Sequence, residues 1–186
     1  FSVAQFYHLA FMIVSIALLV FGSSGTALAV FPRFQVWDPN ESLCLFSFAT
    51  GLSIFLAFIL TNWLPFDSFG IAWDRRQIII LVLHYLALAS PFFFSGLALG
   101  FLLNASPQSV GTTYAVNLAG SAAGCLVALF APARLGGEGV VTLSAALAAL
   151  AGIAAWLGAQ PNRWPVGFAS TAILIFTLLD LGLRFA

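Results

Sequence analysis

Apolar residues run along this chain in long blocks, and the blocks end at clusters of proline, glycine and charge. A helix needs roughly 20 apolar residues to cross a hydrocarbon core of about 30 Å. Six blocks meet that length, near 6–31, 43–64, 78–103, 112–132, 140–158 and 165–185. The breaks are "FPRFQVWDPNES", "LPFDSFGIAWDRRQ", "NASPQSVG", "PARLGGEG" and "AQPNRWP", which hold all but one of the eight prolines and nearly all the charges. The exception, Pro91, lies inside the third block, where it removes a backbone hydrogen bond and predicts a kink. Short connections imply antiparallel neighbours. The pattern therefore predicts an all-α integral membrane protein: a compact antiparallel bundle of about six transmembrane helices, forming one domain over residues 1–186.

Composition strengthens that reading. Of 186 residues, 62% are hydrophobic and 6% charged, with a mean hydropathy of +1.08. A soluble domain carries far more polar surface. Lysine is absent, and the six arginines are balanced by six acids. Zero net charge without a basic cluster excludes nucleic acid as an expected partner and leaves membrane lipid. Cys44 and Cys125 match no metal or redox spacing. The opening "FSVAQFYHLA" has neither an initiator Met nor a charged n-region, so it does not read as a secretory signal, and a start partway through a longer gene product is expected. Arginine counting gives the orientation. Arg75, Arg76, Arg134 and Arg184 fall on the face where the first block starts, and Arg33 and Arg163 on the other. The positive-inside rule then places both ends in the cytoplasm. Trp63 and Trp73 near the inner interface, with Trp37, Trp156 and Trp164 near the outer one, make the expected aromatic belt.

Candidate chemistry is sparse. Thr113, Asn117, Gly120, Ser121 and Gly124 share one face of the fourth helix. Between helices in lipid there is little hydrophobic attraction, so close backbone approach and interhelical hydrogen bonds must join them. Gly120-x-x-x-Gly124 answers that need, as do Gly96-x-x-x-Gly100 on the third helix and "GSSG" from Gly22 to Gly25 on the first. These residues are read as helix-packing seams, with Asn117 as interhelical glue. The competing reading is a polar substrate or ion site around Asn117, Ser24 and Ser95.

His8 and His84 are the only histidines. An imidazole inside a membrane is a candidate ligand for a tetrapyrrole, through haem iron or chlorophyll magnesium. Neither has a second histidine at helical spacing, and no C-x-x-C-H haem attachment exists, so the preferred reading is a hydrogen-bonded neutral histidine and no cofactor is predicted. Asp180 has Arg184 at i+4 and reads as an ion pair at the end of a helix. "LGGEGV" follows no β-strand, so it reads as a turn in which Gly136 or Gly137 supplies a left-handed cap. No Ser-His-Asp, paired-carboxylate or metal-ligand grouping points to an active site.

Three passages, "FYHLAFMIVSIALLVFGSSGTALAVF", "SPFFFSGLALGFLL" and "TYAVNLAGSAAGCLVALFAPARLGGEG", together resemble the membrane portion of the bacterial spermidine-synthase-like membrane proteins. The resemblance covers the first four helices. It implies a bundle in the bacterial inner membrane attached to a cytoplasmic Rossmann-type domain related to aminopropyltransferases and methyltransferases. Such a domain is missing from this sequence, so none of that family's catalytic residues has a counterpart here. Three functions remain in view: a non-catalytic membrane subunit that anchors or assembles with other membrane proteins in a hetero-complex, an accessory subunit of a photosynthetic or respiratory complex contacting pigment or haem, and a small-solute transporter. The absence of an inverted repeat or a buried charge weighs against the third.

Overall fold

The computed structural model describes residues 2–31, 38–64, 73–105, 110–158, 169–175 and 177, with the side chains of 2–10 and 105 excepted. Those residues are helical apart from short caps and turns, and no strand occurs among them. Four helices follow in order: α1 (Ser2–Val30), α2 (Pro39–Trp63), α3 (Arg75–Ala105) and α4 (Val110–Leu157). Each contains a span long and apolar enough to cross a membrane. Residues 169–175 and 177 are also helical.

The count of four long helices, where the pattern predicts six, has two causes. α4 covers both the fourth and the fifth apolar block, 48 residues in all, and its helical backbone is broken inside at Gly136 (φ 70°, ψ 176°). The sixth block is represented by 169–175 and 177 alone among the described residues. A straight α4 would measure about 70 Å at 1.5 Å per residue, more than twice a hydrocarbon core. Gly136 divides it into a first arm (110–135) and a second arm (137–157), each long enough for one crossing. The expected end near 132 shifts accordingly, because Pro132 sits inside the helix and the break falls at Gly136, one of the two glycines the sequence nominates, whose positive φ comes with an extended ψ in place of the left-handed cap expected.

The ends of the helices follow from local chemistry. Asp38 caps α2, its carboxylate accepting the Asn40 N–H at 2.9 Å, and Pro39 occupies the first turn, where its missing N–H costs nothing. α2 stops at Leu64, held extended (φ −102°, ψ 97°) directly before Pro65, as the clash with a following proline ring demands. At the start of α3, Asp74 accepts the Arg76 N–H at 2.9 Å. Helical backbone continues through Pro91. That proline orphans the Ala87 carbonyl, and the Ser90 hydroxyl donates to the same oxygen at 2.8 Å.

α2 is the centre of the packing. It lies against α3 on one side and α4 on another, whereas α1 packs on α3 and α3 scarcely touches α4. Phe46 on α2 meets Phe101 on α3 edge to face, ring centroids 6.2 Å apart, and with Leu97 they form the buried apolar cluster. Since Phe46 near the start of α2 meets Phe101 near the end of α3, the two run antiparallel. Along the second arm Gly139, Thr142, Ala145, Ala146, Ala149 and Gly152 are buried. A side chain on Gly51 of α2 would touch Ala145 O and Ala148 Cβ, both at 3.7 Å, and Asn40 Nδ2 donates to Gly158 O at 2.6 Å. The second arm therefore also runs antiparallel to α2, and hence parallel to α3.

Candidate functional site

Two features of the described residues carry functional potential: the glycine seams and a groove between α3 and the second arm. The seams divide sharply. A Cβ at Gly96 would fall on the Ser24 hydroxyl and lie 3.0 Å from Ser24 Cβ and 3.1 Å from Phe21 O, so bare backbone on α3 accepts α1 at that point. One turn on, a Cβ at Gly100 would meet Leu28 Cδ1 at 2.7 Å. Ser24 is 2% exposed, and its hydroxyl donates to Phe21 O at 2.6 Å, leaving no dangling donor in the seam. Farther along the same pair, Ile13, Ile16 and Ala17 face Tyr85, Leu88 and Ala89.

The remaining seam residues have no such neighbour. Around Gly22 and Gly25 of α1, and Gly120 and Gly124 of α4, nothing lies within 4 Å of an added Cβ. Ser121 is exposed and Asn117 half-buried. The first arm is exposed along most of its length, including Tyr114, Val116, Leu118, Leu126, Leu129 and Phe130. Asn117 has no hydrogen-bond partner among the described residues.

The groove has α2 as its floor. One cavity of about 490 Å³ is lined by Leu43, Ser47, Thr50, Ser95, Ala98 and Ala148, among others. A second, of about 400 Å³, continues past Thr50 and Ser95 to Pro91, Val140 and Ser144. Their size suits a small ligand. Three of the lining hydroxyls are turned back to their own helices, Thr50 to Phe46 O at 2.8 Å, Ser95 to Phe92 O at 3.1 Å and Ser144 to Val140 O at 2.9 Å. Their protons are used, and what they offer to the groove is lone pairs. Ser24 and Ser95, joined with Asn117 in the sequence as a possible polar site, are separated here: Ser24 is enclosed in the α1–α3 seam, and Ser95 lines the groove.

His84 lies on α3, half-buried, with Nδ1 2.9 Å from Ile80 O of its own helix. The His8 side chain, Asp180, Arg184, Arg33, Arg163, Trp37 and Trp164 lie outside the described residues. No grouping of three or more His, Cys, Asp or Glu suited to a metal ion occurs among the described residues.

Sequence reasoning missed the seam between α2 and the second arm. Its close approaches use Gly51, Ala145, Ala149 and Gly152, where an added Cβ on Gly152 would come 3.6 Å from Ser47 Cβ of α2 and 3.0 Å from Ser170 Oγ of the 169–175 helix. The signal was present as alanines spaced at helical intervals in "SAALAALAGIAA", but alanine is too common to stand out beside Gly-x-x-x-Gly. No protein-family model, curated protein or solved structure matches this chain.

Proposed function

We propose that this chain is a non-catalytic membrane anchor and assembly element, of the kind found in the membrane half of the spermidine-synthase-like proteins it resembles. In this reading it crosses a bacterial inner membrane six times, with 110–135 and 137–157 as separate crossings and 169–177 within the sixth. Both ends face the cytoplasm. Arg75 and Arg76 open α3, and Arg134 precedes the Gly136 break beside the start of the second arm. α3 and the second arm begin at the same end of the bundle, so these three arginines gather there, which supports a cytoplasmic assignment for that end.

The observation that carries the reading is the outer surface of α1. This helix packs on α3 alone among α1–α4 beyond sporadic contacts; Gly22 leaves its other side open to close approach, and Gly25 opens the flank, where it lines a cavity with Gly100 and Asn104 of α3. Bare backbone facing lipid gains nothing from lipid tails, whereas a partner helix gains van der Waals contact there. The partner is therefore another membrane protein docking on α1. Any transferase chemistry would reside in a Rossmann-type domain, which no stretch of this sequence supplies.

Purification of the intact protein in mild detergent tests the reading. A stoichiometric partner should co-purify, and Gly22→Leu with Gly25→Leu should release it while the thermal unfolding of the chain stays unchanged. A partner-free monomer from native membranes at mild extraction would refute it.

A further inference from the structure

We infer that the first arm of α4 (110–135) closes as a return helix into the groove between α3 and the second arm, turning on Gly136 and setting its Asn117–Gly120–Ser121–Gly124 face against both walls. The inference rests on the six-crossing reading for its topology and goes beyond it in assigning the arm a seat and a register.

Chain direction comes first. α3 and the second arm both run antiparallel to α2, so they are parallel to each other and begin at the same end. A chain that leaves α3 at its far end must cross back before the second arm can begin. The first arm is the stretch that joins those two points, and at 1.5 Å per residue it spans about 35–40 Å, enough for one crossing with tilt.

The seat is the groove. Its walls stand apart because α3 and α4 hardly touch, and its two cavities share Thr50 and Ser95 in their lining. The upper part is walled by Ser95, Ala98, Leu99 and Leu102 on one side and by the small residues Ala148, Ala151, Ala154 and Ala155 on the other. An antiparallel hairpin through each junction sets the register. Pairing from the α3 end brings Gly120 level with Ser95 and Asn117 level with Ala98. Pairing back from Gly136 brings Gly124 level with Ala148 and Ser121 level with Ala151. Levelled through α2, where Phe46 meets Phe101 and Gly51 meets Ala145 and Ala148, the two counts differ by one to two turns, which keeps the same small-residue face turned to the walls.

Asn117 supplies the independent observation. Its amide sits well inside an apolar span without a hydrogen-bond partner among the described residues. An amide left unpaired in hydrocarbon is strongly unfavourable. The wall hydroxyl of Ser95, whose proton is already given to Phe92 O, keeps acceptor lone pairs within a turn of that level. Closure would satisfy the amide and bring Gly120 and Gly124 into contact. Gly136 is where the arm turns: its φ of 70° with ψ of 176° breaks the helical backbone in a region where side-chain-bearing residues are strained.

Two measurements on the full chain test this, in a Cys44→Ala, Cys125→Ala background whose thermal unfolding matches the parent. Gly111→Cys and Gly137→Cys, made singly, should react with a membrane-impermeant maleimide from opposite faces of the membrane. Reaction from one face would sink both the crossing and the docking. Second, Ala151→Cys is paired with a cysteine scanned through 117–124 and oxidised in the membrane. Intrachain disulfides, seen as a faster monomer on a non-reducing gel, should peak at 117, 120 or 121 and 124 and be at least tenfold weaker at 118, 119 and 122. Opposite-face labelling with no intrachain link, with links equal on all sides, or with double-mass dimers alone would overturn the docking and leave the crossing intact. Dimers alone would identify a second copy as the occupant.

Discussion

Gly96→Ala adds one methyl to α3 and should loosen α1. The new Cβ lands on the Ser24 hydroxyl and also lies 3.0 Å from Ser24 Cβ and 3.1 Å from the Phe21 carbonyl oxygen. Rotating Ser24 clears the hydroxyl but breaks its bond to Phe21 O, a loss of about 1 kcal/mol. The Cβ and carbonyl contacts remain, and a helix carbonyl cannot move alone. α1 must therefore shift as a body, stretching its contacts at Leu28 with Gly100 and at Ile16 and Ala17 with Tyr85 and Ala89. Overpacking of this kind costs about 1–3 kcal/mol, and a chain of this size loses roughly 2–4 °C of melting temperature per kcal/mol. The assay is thermal unfolding in mild detergent, with Gly22→Ala and Gly51→Ala alongside. Gly22 has nothing within 4 Å, so alanine there should be neutral or gain up to about 1 kcal/mol of helix propensity. At Gly51 the new contacts are at ordinary distance, 3.7 Å, and the change should be tolerated. Ser24→Gly combined with Gly96→Ala removes the two serine contacts and should recover at least half the loss, a coupling that a double-mutant cycle reads directly. If Gly96→Ala unfolds no lower than Gly22→Ala, the α1–α3 seam is not packed as described.

Three further outcomes follow from local geometry. Gly136→Ala should cost about 1–3 kcal/mol in the same unfolding assay, because φ 70° with ψ 176° is a nearly glycine-only conformation, while Gly137→Ala, with no positive φ and nothing within 4 Å, should not. Asn40→Ala removes the 2.6 Å bond to Gly158 O that ties the start of α2 to the end of the second arm, and should lower stability by about 1 kcal/mol; an unchanged midpoint would place that bond outside the folding balance. Ser90→Ala deprives the Ala87 carbonyl of the donor that replaces the missing proline N–H, so it should cost about 1–3 kcal/mol alone and distinctly less in a Pro91→Ala background.

The length and position of most helices were legible because water and hydrocarbon differ so strongly. Runs of apolar residues mark the spans, and Asp38, Pro39, Pro65 and Asp74 mark where the chain leaves them. The Gly136 turn was legible for a different reason: a pair of adjacent glycines between two apolar blocks has few other uses. The inward face of each helix was not legible. A soluble helix shows its buried side by contrast with a polar one, whereas these helices are apolar all round, so the contrast is missing. Cys44 is fully buried and Leu56 more than half exposed, yet nothing in their polarity separates them.

What glycine spacing reports is a capacity for close approach, not its use. Gly96-x-x-x-Gly100 and Gly120-x-x-x-Gly124 are the same motif, and only the first has neighbours against its bare backbone. The difference lies in what stands opposite. α1 runs parallel to α3 and brings Ser24 and Leu28, one turn apart, to two glycines that are also one turn apart, so the match is set by a partner sequence about 70 residues away. No local pattern can encode that pairing. For the second motif the partner must be found from chain direction instead, because α3 and the second arm start at the same end and leave a groove whose walls carry alanine and serine among larger apolar residues. A seam in a membrane protein is therefore specified jointly by a small-residue stripe and by the topology that decides which stripe it meets.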